Sequence, residues 1–265
     1  MKIKNIPLNF PVALIIFCVA LALSSPLAHA IVNVEQAIIG QPSEGMHTSL
    51  DLLVNGASGN TNTSSSKANL LSLWQHGEHT EFLQIEYAYG KSGGQVNTDK
   101  AFAHLRHRTA VSQDWSVEAF AQTGRDPFAR LTKRTLLGGG MRWIMFEKES
   151  KSAGYLGFGA FHENEILTDK LGTDDPRESN LWRANTYLVL KSQLNQQVRV
   201  YSTTYYQPAF SDTADYRMLE QAAMLVKMGQ NLDFKLSLDI TFDSRPPQTV
   251  QKRDMVYSTG LEFSF

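Results

Sequence analysis

Two segments near the end of the chain alternate apolar and polar residues. Between Leu232 and Asp243 the even positions are apolar and the odd positions are polar or charged. Between Tyr257 and Phe265 the odd positions are mostly apolar, and the last residue is aromatic. A period of two places the two classes of side chain on opposite faces of a β-strand. The end of the chain therefore predicts strands with one apolar and one polar face.

Weaker forms of the same alternation occur upstream. They fall in residues 83–89, 101–109, 115–122, 137–145, 156–160 and 182–191. Residues 217–227 are ambiguous, because their Met, Leu, Glu, Gln and Ala content also suits a helix; their position in the series favours a strand. Together the segments predict about twelve strands, with a range of roughly 10–14.

The connections between these segments sort by length. Short ones fall at residues 75–78, 112–114, 147–152, 193–197 and 228–231, and mostly longer ones at 90–97, 125–130, 163–179, 207–215 and 244–254. The first hairpin, residues 56–60, is short where the series expects a long one. A soluble sandwich has no reason to sort its loops in this way. The pattern predicts an all-β fold, a closed antiparallel transmembrane β-barrel with short periplasmic turns and longer extracellular loops.

Aromatic residues cluster near the ends of the predicted strands. One group lies beside the short turns and the other beside the longer loops: Trp74, Trp115, Trp143 and Tyr155, then Tyr89, Trp182, Tyr205, Tyr206 and Tyr216. Two such bands are expected where a barrel meets the two membrane interfaces. Simple packing of aromatic rings at strand ends is the alternative.

The first 30 residues have the features of a secretory signal peptide. Lys2 and Lys4 precede an apolar run, residues 11–23, and residues 28–30 read Ala-His-Ala. The run is shorter than the ~20 residues that a spanning helix needs, which disfavours an uncleaved anchor. We expect residues 1–30 to be removed, 31–46 to form a periplasmic segment and 47–265 to form the barrel, in the outer membrane of a Gram-negative bacterium.

Composition excludes several kinds of chemistry. The only cysteine, Cys18, lies in the predicted signal peptide, so the mature chain would have no disulfide, catalytic thiolate or cysteine-bound metal. The formal net charge is −1, and no basic face suggests a nucleic-acid partner. We expect no cofactor and no metal.

The last strand resembles the terminal signal that outer-membrane proteins present to the barrel-assembly machinery. Its apolar face and terminal aromatic residue carry this resemblance: Tyr257, Leu261, Phe263 and Phe265. The resemblance implies that the machinery is a partner during biogenesis, and that outer-membrane lipid and lipopolysaccharide surround the folded barrel.

Three short motifs extend the resemblance to a family. Residues 59–63 read Gly-Asn-Thr-Asn-Thr, residues 125–128 read Arg-Asp-Pro-Phe, and residues 135–142 read Thr-Leu-Leu-Gly-Gly-Gly-Met-Arg. In this order they resemble an outer-membrane barrel family of unknown function that is labelled salt-induced outer membrane protein. The resemblance covers residues 49–265. It implies a barrel, but no reaction, ligand or catalytic residue.

The three successive glycines of the last motif invite two interpretations. In mid-strand, Gly138, Gly139 and Gly140 permit a kink or the close approach of a bulky side chain in the lumen. A phosphate-binding loop is the alternative, but no Lys-Ser/Thr follows the glycines and no helix is predicted after them.

The polar faces of the strands carry both signs of charge. The predicted lumen lining comprises Glu86, Arg106, Arg108, Glu118, Arg134, Arg142, Arg183, Lys191, Asp233, Lys235, Asp239 and Glu262. Arginine is frequent in the middle strands and acidic residues in the last ones. This distribution fits a charge field that orients a small anionic or zwitterionic solute. It equally fits cross-strand ion pairs that fill a narrow lumen.

Two sets of residues are candidates for a hydrolytic site. His47 and Ser49 share one strand face, in the spacing of an outer-membrane phospholipase, but no third polar partner is evident. The longest predicted loop holds an acidic group with one histidine: His162, Glu163, Glu165, Asp169, Asp174 and Asp175. It suits a protease site, a calcium site, or a solvated surface bridged to lipopolysaccharide by divalent ions.

The sequence thus favours a non-enzymatic outer-membrane barrel. It would be either a narrow channel for small polar solutes or a structural envelope protein. A hydrolase with its site in the loops is one alternative. A soluble periplasmic β-protein that binds lipid is the other, and it requires the apolar faces to meet in a core.

Overall fold

A computed structural model describes residues 43–59, 62–148 and 151–265. The predicted signal peptide lies outside the described residues, as does most of the predicted periplasmic segment. The twelve strands are β1 Gly45–Ala57, β2 Thr63–His76, β3 His79–Ser92, β4 Gln95–Ala110, β5 Trp115–Asp126, β6 Leu131–Lys148, β7 Ser152–Leu167, β8 Glu178–Gln193, β9 Val198–Pro208, β10 Tyr216–Lys227, β11 Leu232–Asp243 and β12 Arg253–Ser264. Within these ranges no helix is long and apolar enough to cross a membrane.

The strands form a closed antiparallel barrel in sequence order, which confirms the predicted fold and strand number. Each strand pairs with the next, and β12 returns to pair with β1. Asp51 on β1 lies opposite Glu262 on β12. The amide of Phe265 donates to the carbonyl of Thr48 at 2.8 Å, and the amide of Thr48 donates back at 3.1 Å. Each strand therefore has a hydrogen-bonded neighbour on both sides, as a spanning sheet requires.

One face of every strand points outward, and many of the side chains on these faces are large, apolar and exposed. Leu137 on β6 is 66% exposed and Tyr257 on β12 is 82% exposed. Trp115 and Trp143 stack on this surface with ring centroids 6.1 Å apart. Exposed apolar side chains surround the barrel where lipid would solvate them. The soluble interpretation required these faces to meet in a core, and they do not.

The two ends of the barrel differ. The start of β1, the end of β12 and the short turns share one end, here called the termini end. The opposite end, the loop end, carries loops 168–177, 209–215 and 244–252. The other loop-end connections are tighter than expected: β3 and β4 extend to a turn at Gly93 and Gly94, both with positive φ. β5 and β6 are joined through one turn of 3-10 helix, Pro127–Ala129.

Two expectations about particular residues were wrong. Glu163 and Glu165 lie on β7 rather than in a loop, because the strand continues to Leu167. Tyr155 and Tyr205 lie on the lumen face and are buried there, so neither belongs to an aromatic band at the membrane interface. The strand favoured for residues 217–227 is confirmed, because they lie in β10.

One half of the lumen is filled by an apolar cluster. Its members come from β5 to β10 and are all buried: Phe120, Leu136, Ala153, Tyr155, Phe161, Tyr187, Val189, Tyr205 and Leu219. Glycines make room for the rings. A Cβ on Gly138 would lie 2.5 Å from the Cβ of Phe161, and one on Gly157 would lie 2.0 Å from the ring of Tyr187. The close approach expected at the triple glycine is therefore present.

Candidate functional site

The structure places all twelve predicted lining residues on inward faces. Arg106, Arg183, Lys235 and Glu262 are among the most buried charged residues of the chain. The even positions of β4, β5 and β6 and the odd positions of β7 to β11 point inward.

Sequence reasoning missed several charged members of the lumen. Glu163 and Glu165 were assigned to a loop, and Arg217 lies in the segment of ambiguous composition. Their signal was the period-two pattern itself: from Phe161 on β7, every second residue continues inward. Lys67 and Lys100 also point inward and were not singled out.

A dense ion-pair network lies toward the loop end of the lumen. Arg217 on β10 donates to Glu163, to Glu165 at 2.9 Å and to Asp243 at 2.8 Å. Arg183 on β8 donates to Glu163 at 2.9 Å and to Asp215 at 2.9 Å. Because most of these groups are buried, the pairs offset a large loss of hydration. The network ties β7, β8, β10 and β11 together and borders the open half of the lumen.

Arg134 joins the same network from β6. Its guanidinium contacts Glu165 at 2.5 Å and Glu163 at 3.4 Å. Three arginines and four carboxylates thus meet within one region, with Asp215 contributed by a loop. The cross-strand ion pairs that the sequence left open as an alternative are present here.

A second cluster lies nearer the termini end, around a single carboxylate. Glu118 on β5 accepts from Arg108 at 2.6 Å, from Arg106 at 3.4 Å and from the Tyr187 hydroxyl at 2.6 Å. The guanidinium of Arg108 also lies 4.7 Å from the ring centroid of Phe82. Cations are here held by both a carboxylate and aromatic faces.

The wall next to this cluster is cationic and aromatic. Arg142 on β6 lies 3.8 Å from the ring centroid of Tyr155, and Lys191 on β8 lies 5.7 Å from the same ring. Two cationic side chains from β6 and β8 thus share one tyrosine ring.

The opposite wall, near the termini end, forms a polar floor. Lys235 on β11 donates to Asp51 at 2.5 Å and to Glu262 at 3.0 Å. Asn69 on β2 donates to Asp51 at 3.1 Å and accepts from Gln84 on β3 at 2.7 Å. All five residues are buried. They close this side of the lumen with charges that are mutually paired.

Above the floor, a vestibule of about 690 Å³ extends toward the loop end. It occupies the half of the lumen that the apolar cluster leaves open. Charged residues from opposite walls line it, among them Lys67, Glu86, Lys100, Asp126, Arg134, Glu165, Arg217, Asp239 and Asp254. Residues of loop 244–252, including Pro246, Pro247 and Thr249, form part of its upper wall.

Two lysines bridge strands that are not neighbours in the barrel. Lys67 on β2 lies 2.9 Å from Glu86 on β3 and 3.9 Å from Asp239 on β11. Lys100 on β4 lies 2.7 Å from Asp126 on β5 and 3.8 Å from Asp254 on β12. Each ammonium group is therefore shared by carboxylates on separate walls, and both narrow the vestibule.

A buried arginine interlocks the loops above the vestibule. Arg130, in the left-handed conformation with φ 58°, follows the 3-10 turn. Its guanidinium donates to Asp175 at 2.5 Å and to the carbonyl of Gln248 at 2.9 Å. The amide of Gln248 in turn donates to Asp175 at 3.1 Å. Loops 168–177 and 244–252 are thereby joined over the barrel mouth.

The structure does not assemble either hydrolytic site. His162 points outward from β7 and packs on Trp182, with ring centroids 5.4 Å apart, whereas Asp175 is held by Arg130. His47 on β1 is hydrogen-bonded to Ser43 at the termini end. Within the described ranges, no group of three or more His, Cys, Asp or Glu residues has the arrangement of a metal site.

Comparison with solved structures shows the fold. The translocator domain of the autotransporter NalP from Neisseria meningitidis matches with a TM-score of 0.50 and 10% identity, over 86% of this chain and 91% of that one. The NanC porin matches with a TM-score of 0.50 and 11% identity, over 82% of this chain and 98% of that one. At such identities the likeness establishes the outer-membrane barrel fold alone.

Sequence comparison identifies a family without an assigned activity. No functionally curated protein matches the chain. A family model described as "Protein of unknown function, DUF481" matches residues 51–265, which include nearly the whole barrel. The chain belongs to this family.

Proposed function

We propose that this protein is a non-enzymatic outer-membrane barrel that passes small polar solutes through a narrow lumen. The observation that carries the proposal is the vestibule of about 690 Å³ with its charged lining. Aromatic and aliphatic side chains fill the half of the lumen that holds the apolar cluster, so a solute cannot pass there. The other half is left as a polar space, and the likeness to a porin supports the same use of the barrel.

The lining suits selection of solutes by charge. Lys67, Lys100 and the carboxylates around them stand within the path of any solute that enters from the loop end. Rings of charged side chains set ion selectivity in known pores. An ion pair that spans the lumen also limits the size of what passes. We therefore expect low conductance and pronounced selectivity.

Location and orientation form part of the proposal. The leader, residues 1–30, directs export, and the terminal strand with Tyr257, Leu261, Phe263 and Phe265 serves as the signal for assembly. The termini end faces the periplasm, and loops 168–177, 209–215 and 244–252 face the outside, against lipopolysaccharide. The resemblance to proteins labelled salt-induced predicts that salt raises the level of this protein. Its abundance in cells grown at low and high salt would test this prediction.

Conductance of the purified barrel in a planar bilayer tests the proposal. We expect small, stable steps in the native protein. Lys100→Ala, which removes the contact to Asp254 across the lumen, should enlarge them. Asp239→Asn, which removes one negative charge from the lining, should shift the ion selectivity toward anions. Arg177→Ala, on the exposed loop 168–177, is the matched control and should change neither quantity.

An absence of conductance would contradict the proposed channel. If folded, heat-modifiable protein inserts into the bilayer but neither it nor Lys100→Ala conducts, the lumen is closed. The protein would then act as a structural component of the envelope, and its loops rather than its lumen would carry its interactions.

A further inference from the structure

A row of histidines lies on the outward face of the barrel, at its termini end. His76 and His79 flank the short turn between β2 and β3, and His107 lies nearby on β4. The ring centroids of His76 and His79 are 5.3 Å apart, and those of His79 and His107 are 5.5 Å apart. Trp74 extends the row, with its ring centroid 4.7 Å from that of His76. These four residues and Glu81 are here called the rim cluster.

The rim cluster lies at the edge of the apolar belt. Glu81 on β3 is opposite His107 on β4, and the next outward pair toward the middle of these strands is Leu83 and Leu105. These leucines are 40% and 55% exposed. A tryptophan beside polar groups at the edge of an apolar belt is typical of the membrane interface. The partner within reach is therefore a lipid headgroup of the leaflet at the termini end.

Hydrogen bonds to Glu81 determine which ring nitrogens carry protons. Nδ1 of His107 lies 2.7 Å from one carboxylate oxygen, and Nε2 of His76 lies 3.2 Å from the other. An ionised carboxylate can only accept, so both nitrogens donate. In a neutral imidazole the second nitrogen is then an acceptor. For His76 this acceptor is Nδ1, and for His107 it is Nε2.

Thr109 fixes the proton of His79 in the same way. Nε2 of His107 lies 2.8 Å from the hydroxyl oxygen of Thr109, so the hydroxyl donates to it. Nδ1 of His79 lies 3.1 Å from the same oxygen and donates to it, because the single hydroxyl proton is already used. Nε2 of His79 is left as an acceptor. Among the described residues, neither this nitrogen nor Nδ1 of His76 has a hydrogen-bond partner.

The rim cluster therefore presents acceptors and negative charge. Its outward acceptors are Nδ1 of His76, Nε2 of His79 and the carboxylate of Glu81, whose side chain is 32% exposed. Glu44, which accepts from the amide of the turn residue Gly77 at 2.8 Å, adds a second negative charge beside it. Charges of this sign repel an anionic headgroup and attract a cation.

We propose that the rim cluster binds the primary ammonium group of a phospholipid headgroup, as in phosphatidylethanolamine. Such a group has three N–H donors, and Glu81, His76 and His79 supply three acceptors. The face of the Trp74 ring offers a further contact to the cation. A quaternary ammonium headgroup has the same charge but no N–H donor, so it should bind less well. The inference goes beyond the proposed function, because lipid recognition does not depend on whether the lumen conducts.

Competition between lipids tests the inference on the native protein. The barrel in detergent is mixed with equal amounts of phosphatidylethanolamine and phosphatidylcholine that have the same acyl chains, and native mass spectrometry counts the first lipid bound. We expect a preference of roughly tenfold for phosphatidylethanolamine, and an intermediate value for its N,N-dimethyl derivative. Equal binding of the two lipids would overturn the proposal. Stronger binding of phosphatidylglycerol would also overturn it, because that result would show an anion site.

Two substitutions assign the preference to the rim cluster. Glu81→Gln removes the charge, whereas His79→Phe removes an acceptor and keeps a ring in the row; each should reduce the preference severalfold. His162→Phe is the matched control, because His162 also faces outward beside a tryptophan, with its ring centroid 5.4 Å from that of Trp182, in the loop-end half of β7. It should leave the preference unchanged. The same preference in all three variants would refute the assigned residues.

A chelator separates direct recognition of the ammonium group from a bridging metal ion. A preference that persists in EDTA supports the proposal, and a preference that EDTA abolishes would overturn it. A barrel that conducts but binds both lipids equally would refute this inference and leave the proposed channel standing. A barrel that prefers phosphatidylethanolamine but does not conduct would contradict the channel and leave the lipid site standing.

Discussion

The hydroxyl of Tyr187 on β8 donates a 2.6 Å hydrogen bond to Oε2 of Glu118 on β5. β6 and β7 lie between these strands in the barrel, so the bond crosses the lumen. The same carboxylate accepts from Arg106 and Arg108 on β4. Glu118 on β5 therefore connects β4 with β8. Substituting it tests how much its negative charge stabilises the barrel.

Glu118→Gln should destabilise the barrel by about 3 kcal/mol, because it removes the negative charge to which two inward-facing arginines donate. Tyr187→Phe, which removes only one hydroxyl, should cost about 1 kcal/mol. Urea unfolding in lipid vesicles measures both. Equal losses in the two variants would contradict a dominant role for the charge.

Gly157→Ala should destabilise the protein by about 1–3 kcal/mol, because the added methyl group would meet the Tyr187 ring. The reason is geometric: a Cβ at this position would lie 2.0 Å from the ring. Combining it with Tyr187→Leu should recover part of the loss, since the smaller side chain gives way. Gly172 is the control: a Cβ there would meet no atom, but the positive φ makes alanine unfavourable. Adding Tyr187→Leu to Gly172→Ala should therefore recover none of the lost stability.

Leu137→Arg should be costly because it places a charge on the outward face in mid-strand, where the side chain is 66% exposed. In a bilayer we expect a loss of about 2–4 kcal/mol in unfolding free energy, whereas Met145→Arg, near the termini end, should lose about 0–1 kcal/mol. The comparison is made in vesicles. No dependence on depth would argue against a transmembrane barrel.

Arg130→Ala should release loops 168–177 and 244–252 from each other, because Arg130 contacts both. We expect faster proteolytic cleavage within these loops and larger, noisier conductance steps. Arg130→Lys should restore little, since one ammonium group cannot reproduce the fork of donors. If cleavage rates match those of native protein, the loops are held by other contacts.

Asp212 offers a pH test outside the membrane. The amide of Ala214 and then the guanidinium of Arg245 hold the pKa of Asp212 below its ordinary value. Folded-state stability from this group is present above the ordinary aspartate pKa and is lost as pH falls through the lower, folded value. Carboxyl NMR of the labelled barrel should show this late titration, and Arg245→Ala should move it toward the ordinary value.

The sequence alone predicted which side chains of a strand point into the lumen and which point outward. On β11, alternation alone placed Asp233, Lys235 and Asp239 inward, because side-chain direction in a strand is a property of the local backbone. The same rule, continued two residues at a time past Phe161, would have placed Glu163 and Glu165 in the lumen. They were assigned to a loop because two carboxylates within three positions are typical of a solvent-exposed segment. Only the arginines of other strands, which pair with these carboxylates, compensate for their burial in the lumen.

The sequence by itself determined the class of the protein: an antiparallel barrel of about twelve strands, apolar outside and charged inside, because period-two patterning and turn chemistry act over a few residues. Only the tertiary structure decided which charges meet. Asp51 and Lys235 are 184 residues apart, and Tyr187 reaches Glu118 across two strands. Closure, strand tilt and stagger create such contacts. They also decide that aromatic rings fill one half of the lumen while the other half stays open.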